Sequence, residues 1–174
     1  MNRSSLQLNR QLCDAAQNGA VGMVQELIGV AAVNHDNGAP LQLAARYGRE
    51  ECVRVLMEVT DKRCLRWGLA QAVANKEWRC ADILFARVRA LDFQVEDTAT
   101  FALQQAFVHP EVGQAEMFLP FINTDVALRA AATAWPPLQK VHTPLWRERI
   151  RTEQQRRVLL RATARMGEEH KRKI

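Results

Sequence analysis

A chain of 174 residues with 48% hydrophobic and 25% charged residues is long enough for one domain with a buried core and too apolar for disorder throughout. Tyr, Phe and Trp are few, while Ala, Leu, Arg and Gln are plentiful, a mixture that favours helix over strand. The net charge of +5 is concentrated: Lys140 to Ile174 holds eleven Lys/Arg against four acids, and the rest of the chain thirteen against fifteen, so the field that would steer an acidic partner lies in the last fifth.

Met1 to Arg10 is polar and reads as a lead-in (1–10), in which Ser4 or Ser5 suits the cap of a first turn. It lacks the apolar core of a signal peptide, and no run approaches the roughly 18 apolar residues of a membrane span. These features lead to the expectation of a cytoplasmic protein with no membrane association. Leu12, Ala15-Ala16 and Gly19 come next, then Val24 and Leu27-Ile28. The same residue types return 29 positions later as Leu41, Ala44-Ala45, Gly48, Val53 and Leu56-Met57. Each block predicts two short helices joined by a glycine turn. Leu41 and Ala44 share a face at i and i+3, Val53, Leu56 and Met57 share another, and Gly48 suits the left-handed residue that ends a helix. Neither helix can bury its stripe alone, so the pair must stack on copies of itself.

Asn34-His35-Asp36-Asn37-Gly38 is a dense turn signal between the first two units, and a β-turn tip suits it. A third unit, offset by 28, places Leu69, Ala72 and Val73 in the first helix and Ala81, Leu84 and Phe85 in the second. Lys76 stands where the turn glycine was, which implies a turn that is strained or differently built. Thr60 to Arg66 reads as the second loop, carrying Lys62, Arg63 and Arg66. A fourth unit, from about Asp97 to Phe121, has Leu103, Ala106 and Phe107 in one stripe and Ala115, Phe118 and Leu119 in the other, with Pro110 starting its second helix. The loop before it, Asp92 to Asp97, has an acidic tip. A fifth half-unit carries Val126, Leu128, Ala131 and Ala132 until Trp135-Pro136-Pro137 breaks it. This closes the repeat stack (11–135). Residues 136–167 form a divergent helical cap, and 168–174 a basic tail.

The stretch Gly38-Ala39-Pro40-Leu41-Gln42-Leu43-Ala44-Ala45-Arg46-Tyr47-Gly48-Arg49, followed by Val53 and Leu56-Met57, resembles the ankyrin repeat, with its T-P-L-H-x-A signature and period near 33. Ala39 and Gln42 replace the signature's Thr and His, so the hydrogen bonds of those residues are altered or absent. Residues 11–29 and 67–88 are similar to the family in looser form. The resemblance implies an all-α solenoid of about four to five helix-turn-helix units with a basic C-terminal capping helix. It also implies protein binding through the tips and inner helices, by a chain that is monomeric when unbound. Carried over by position, the partner-binding set is Asn34, His35, Asp36, Arg46, Tyr47, Arg49, Lys62, Arg63, Arg66 and Asn75. Small proteins of this kind serve as adaptors, inhibitors or host-targeting effectors of bacteria and viruses.

Each of these features has a plainer alternative. Tyr47, the only tyrosine, suits a binding anchor or a helix-end packing residue. Trp67, Trp78, Trp135 and Trp146 suit gap filling where the repeat becomes irregular more than an interface. Arg151, Arg156, Arg157, Arg161 and Arg165 form a candidate anion-binding set that would grip an acidic protein or, as the second reading, nucleic acid. The opposite reading is a cap that solvates the end of the stack. The four cysteines show no metal-ligand spacing and read as reduced, structural residues. No nucleophile elbow, phosphate loop or zinc motif occurs, so neither enzyme nor cofactor is expected.

Overall fold

The computed structural model describes residues 3–106, 113–123, 148 and 151–156. Its elements are α1 (Arg3–Asn18), α2 (Val21–Leu27), α3 (His35–Arg46), α4 (Glu50–Val59), α5 (Lys62–Ala74), α6 (Trp78–Ala90), α7 (Val95–Ala106) and a 3-10 helix (Gly113–Phe121). No strand occurs among the described residues. The helices form two rows. The inner row is α1, α3, α5 and α7, each packed on the next; the outer row is α2, α4 and α6, and each outer helix also contacts its own inner partner. This is the helix-turn-helix solenoid that the repeats predict.

Equivalent positions are buried in every unit. Leu12, Leu41, Leu69 and Leu103 are all fully buried, as are Val24, Val53, Ala81 and Ala115 in the second elements. Small side chains at Ala15, Ala44, Ala72 and Ala106 are buried beside those leucines and let neighbouring inner helices approach closely. In the last described unit bulk replaces small residues. The Phe85 ring meets Phe118 and Phe121 edge-on, at centroid distances of 5.0 and 5.2 Å.

The turn joining the two helices of a unit is built the same way three times. Arg49 N–H donates to the Ala44 carbonyl and Gly48 N–H to Ala45. The matching pairs are Ala20 to Ala15 with Gly19 to Ala16, and Glu77 to Ala72 with Lys76 to Val73. These are Schellman caps, which satisfy the last carbonyls of the first helix and need a left-handed residue. Gly19 (φ 76°) and Gly48 (φ 67°) supply it without a Cβ penalty; Lys76 adopts the same conformation at φ 63°. The third turn is thus strained but not differently built, and the strain is roughly 1–2 kcal/mol.

Four expectations are corrected. The helix α1 begins at Arg3, within the stretch read as a lead-in. The loop read as Thr60 to Arg66 ends at Asp61, because the Asp61 carboxylate accepts the Cys64 N–H at 3.0 Å as the N-cap of α5. Glu96 and Asp97 belong to the first turn of α7 rather than to a loop tip, where acids complement the helix dipole. The second element of the fourth unit is 3-10 rather than α, although it buries Ala115, Phe118 and Leu119 as the pattern requires. Pro110 and the fifth half-unit lie outside the described residues, as do Trp135, Trp146 and most of the C-terminal cap.

Candidate interaction surface

Near its start α3 is kinked by a run of left-handed residues that forms the tip. Asp36, Asn37 and Gly38 have φ values of 47°, 58° and 79°, a conformation that Asn, Asp and Gly tolerate best. Just before the run the His35 N–H donates to the Ala32 carbonyl at 3.1 Å, and the Gly38 N–H donates to the Asn34 carbonyl at 3.3 Å. A Cβ on Gly38 would stand 2.7 Å from the Cys64 Cβ, so the tip lies tight against α5. Gln42, which replaces the signature histidine, donates through Nε2 to the Asn37 carbonyl at 3.0 Å and the Asp36 carbonyl at 3.3 Å. The substitution therefore still ties the tip to the inner helix. Asn34 Oδ1 accepts the Asp61 N–H at 2.9 Å, as Asn9 Oδ1 accepts the Ala32 N–H at 2.8 Å one unit earlier.

These contacts divide the candidate residues. Asn34 is spent on linking successive tips. Arg49 is exposed, but its Nε donates to the Gln17 carbonyl at 2.9 Å and its stem lies over Gly19, so it clamps the second unit to the first. Asn75 closes α5, with Nδ2 donating to the Gln71 carbonyl at 2.8 Å. His35 Nδ1 lies 3.1 Å from the Asp36 carboxylate, which is itself exposed.

Arg46, Tyr47, Lys62, Arg63 and Arg66 behave differently. All lie on or at the ends of inner-row helices. The Arg46 guanidinium sits 5.7 Å from the centre of the exposed Tyr47 ring. Arg66 lies 4.5 Å from the Phe101 ring, and Lys62 lies 6.0 Å from Phe93. Among the described residues, no carboxylate makes an ion pair with Arg46, Lys62 or Arg66. In the outer row, Arg54, Arg79 and Arg87 each meet a glutamate, and Arg87 reaches Glu58 at 2.8 Å. Lys62 and Arg63 also occupy the first turn of α5, where positive charge opposes the helix dipole by roughly 0.3–1 kcal/mol each. Asp61 offsets part of this: its hydrogen bond from the Cys64 N–H holds the carboxyl below the ordinary range.

Two residues belong to this surface that the sequence did not single out as a pair. Trp67 is 43% exposed and meets Phe101 edge-on, at 5.5 Å and 84°. Trp67 was read as gap filling, yet it stands on the inner face. The signal was in the register: Ala39, Trp67 and Phe101 follow the same spacing as Leu41, Leu69 and Leu103. Small Ala39 belongs to the other end of this series. There a shallow hollow of about 210 Å³ is lined by Asp36, Ala39, Gln42, Leu43, Arg46 and Gln71. That is below the roughly 300–1,000 Å³ of small-molecule pockets.

A larger trough, about 420 Å³, runs along the turns at Gly19, Gly48 and Glu50 to Cys52. Its only thiol, Cys52, is fully buried, and burial pushes its pKa up, which makes it a poorer nucleophile. Cys64 and Cys80 are pushed up to about 11 by burial. All four cysteines are free, and no group of His, Cys, Asp and Glu with metal-binding geometry occurs among the described residues.

Of the candidate anion-binding set, Arg151 and Arg156 lie on the helical segment 151–156, and Arg156 sits 3.6 Å from Glu153. Arg157, Arg161 and Arg165 lie outside the described residues. No helix among the described residues is long and apolar enough to cross a membrane.

Comparison with known families agrees with the geometry. Residues 12–97 match the family profile described as ankyrin repeats (3 copies), the stretch that contains the three Schellman turns. No curated protein matches the chain. The chain carries ankyrin repeats, a family of protein–protein interaction modules.

Proposed function

We propose that this ankyrin-repeat chain is a non-catalytic adaptor or inhibitor that binds its partner protein across the inner row of helices. The observation that carries this reading is the unequal finish of the two rows. Outer Arg54, Arg79 and Arg87 each lie beside a glutamate, with Arg89 on the Phe121 ring as the exception, whereas Arg46, Lys62 and Arg66 lie near aromatic rings and make no ion pair with a carboxylate among the described residues. Aromatic and arginine side chains in exposed clusters are the usual anchors of protein interfaces. The hollow beside Ala39 is too small for a metabolite but accommodates one protruding side chain.

Binding centred on α3 makes Arg46 and Tyr47 natural probes, because both are exposed and neither holds the fold through a buried contact. Affinity capture from the cell of origin should retain a protein partner. The doubly substituted chain, Arg46→Ala with Tyr47→Ala, should retain markedly less of it, with a melting temperature near that of the wild type. Equal capture by both chains would remove α3 from the interface.

A further inference from the structure

We propose that the inner face from α3 to α7 receives an extended acidic peptide segment of the partner, with one large apolar side chain of that segment packed against the Trp67–Phe101 ridge. This inference rests on the protein-binding reading above and gives it a chemistry. Three observations carry it. First, Arg46, Lys62 and Arg66 line the face, and none of them makes an ion pair with a carboxylate among the described residues. Arg46 lies on α3, Lys62 and Arg66 on α5, and each is within cation–π reach of a ring rather than paired with a carboxylate. A guanidinium lying on a ring keeps N–H donors at its edge for an incoming carboxylate. Second, a large apolar surface stands among these charges. Trp67 is 43% exposed, and its contact with Phe101 holds it across the junction of α5 and α7. An exposed indole braced in this way is a rigid anchor that loses little side-chain freedom on binding. Third, the same register position on α3 is Ala39, and the hollow beside it is lined by Asp36, Gln42, Leu43, Arg46 and Gln71. The face therefore falls from an aromatic ridge to a recess, with a cation beside each.

The ring geometry favours peptide over nucleic acid. A base-stacking surface needs open, successive ring faces. Here Trp67 and Phe101 meet at 84°, and the Arg66 guanidinium lies 4.5 Å from the Phe101 centre.

The test is selection of a random short-peptide display library on the immobilised full chain, with Arg46→Glu and Trp67→Ala chains as counter-targets. A melting curve for each variant confirms that it is folded, and Arg46→Glu, at an exposed site, carries the test if Trp67→Ala melts early. The expected result is enrichment of peptides rich in Asp and Glu that contain an aromatic or large aliphatic residue. Their binding should fall at least about tenfold on either counter-target, the size of one hot-spot contact. Neutral or basic peptides that still need Trp67 would overturn the acidic assignment and leave the inner-face reading standing. Peptides that bind wild type and variants alike would overturn both. Failure to enrich any peptide, or displacement of the selected peptides by single-stranded DNA at equal charge, would also overturn the inference, the latter in favour of nucleic acid.

Discussion

The two rows of helices share one core but present different surfaces. On the outer row Arg54, Arg79 and Arg87 lie within ion-pair distance of Glu51, Glu50 and Glu58 respectively, and Arg89 lies on the Phe121 ring. On the inner row Arg46, Lys62 and Arg66 cover rings, Tyr47 and Trp67 are exposed, and Lys62 and Arg63 sit against the helix dipole. The ring contacts of the inner cations contribute about 0.5–1 kcal/mol each at exposed sites. The proposed function rests on this difference, since two rows that share one core need not finish their surfaces alike.

The comparison breaks most visibly at the core that both rows share. Leu69 is fully buried on α5, which packs against α3, α6 and α7. Leu69→Ala should cost about 2–5 kcal/mol, measured by urea unfolding, and should lower the midpoint for probes in both rows together. A loss confined to one row would mean that the rows do not unfold as one unit.

The turns that join the rows give a smaller effect with opposite signs. Lys76→Gly should stabilise the chain by about 1 kcal/mol, because glycine relieves the left-handed strain. Gly48→Ala should destabilise it by at least as much, since its Cβ would also press the Glu77 carboxylate. Thermal melts of the two variants check this, and shifts of the same sign would deny the shared turn geometry.

The smallest effect separates the surfaces themselves. Arg87→Ala should cost about 0.2–1 kcal/mol, the range for a partly exposed ion pair. Arg46→Ala should stay within about 0.5 kcal/mol of wild type, as expected for a surface residue outside any structural contact. An inner-row substitution that costs more stability than Arg87→Ala would reassign Arg46 to the fold.

How much of this was legible in the sequence follows the same division. The buried positions repeat in kind, so Leu12, Leu41 and Leu69 with their alanines marked the units, and Gly19 and Gly48 marked the turns. The third turn was half legible: Lys76 occupies the right position, but only the hydrogen bonds from Lys76 and Glu77 to Val73 and Ala72 show that its backbone follows the glycines. Asp61 was missed as a helix cap because three cations in the next five residues look like a loop tip. The interaction surface was the least legible part. Arg46 and Tyr47 stand beside the strongest motif, and the resemblance alone makes them candidates. Trp67 and Phe101 come from different units, and bulk at irregular repeats reads as filling until the inner register is aligned. The contacts of Arg49 and Asn34 were not legible at all, since they reach Gln17 and Asp61 in neighbouring units.

The central claim is that recognition belongs to the inner row. Its most direct measurement is the equilibrium affinity of the captured partner for three full-length chains: Trp67→Ala and Arg46→Ala on the inner row, and Met23→Ala, an equally exposed apolar residue on α2. The inner-row changes should each weaken binding at least about tenfold, while Met23→Ala leaves it unchanged. Loss of affinity with Met23→Ala and none with the inner pair would contradict the claim and move the interface to the outer row.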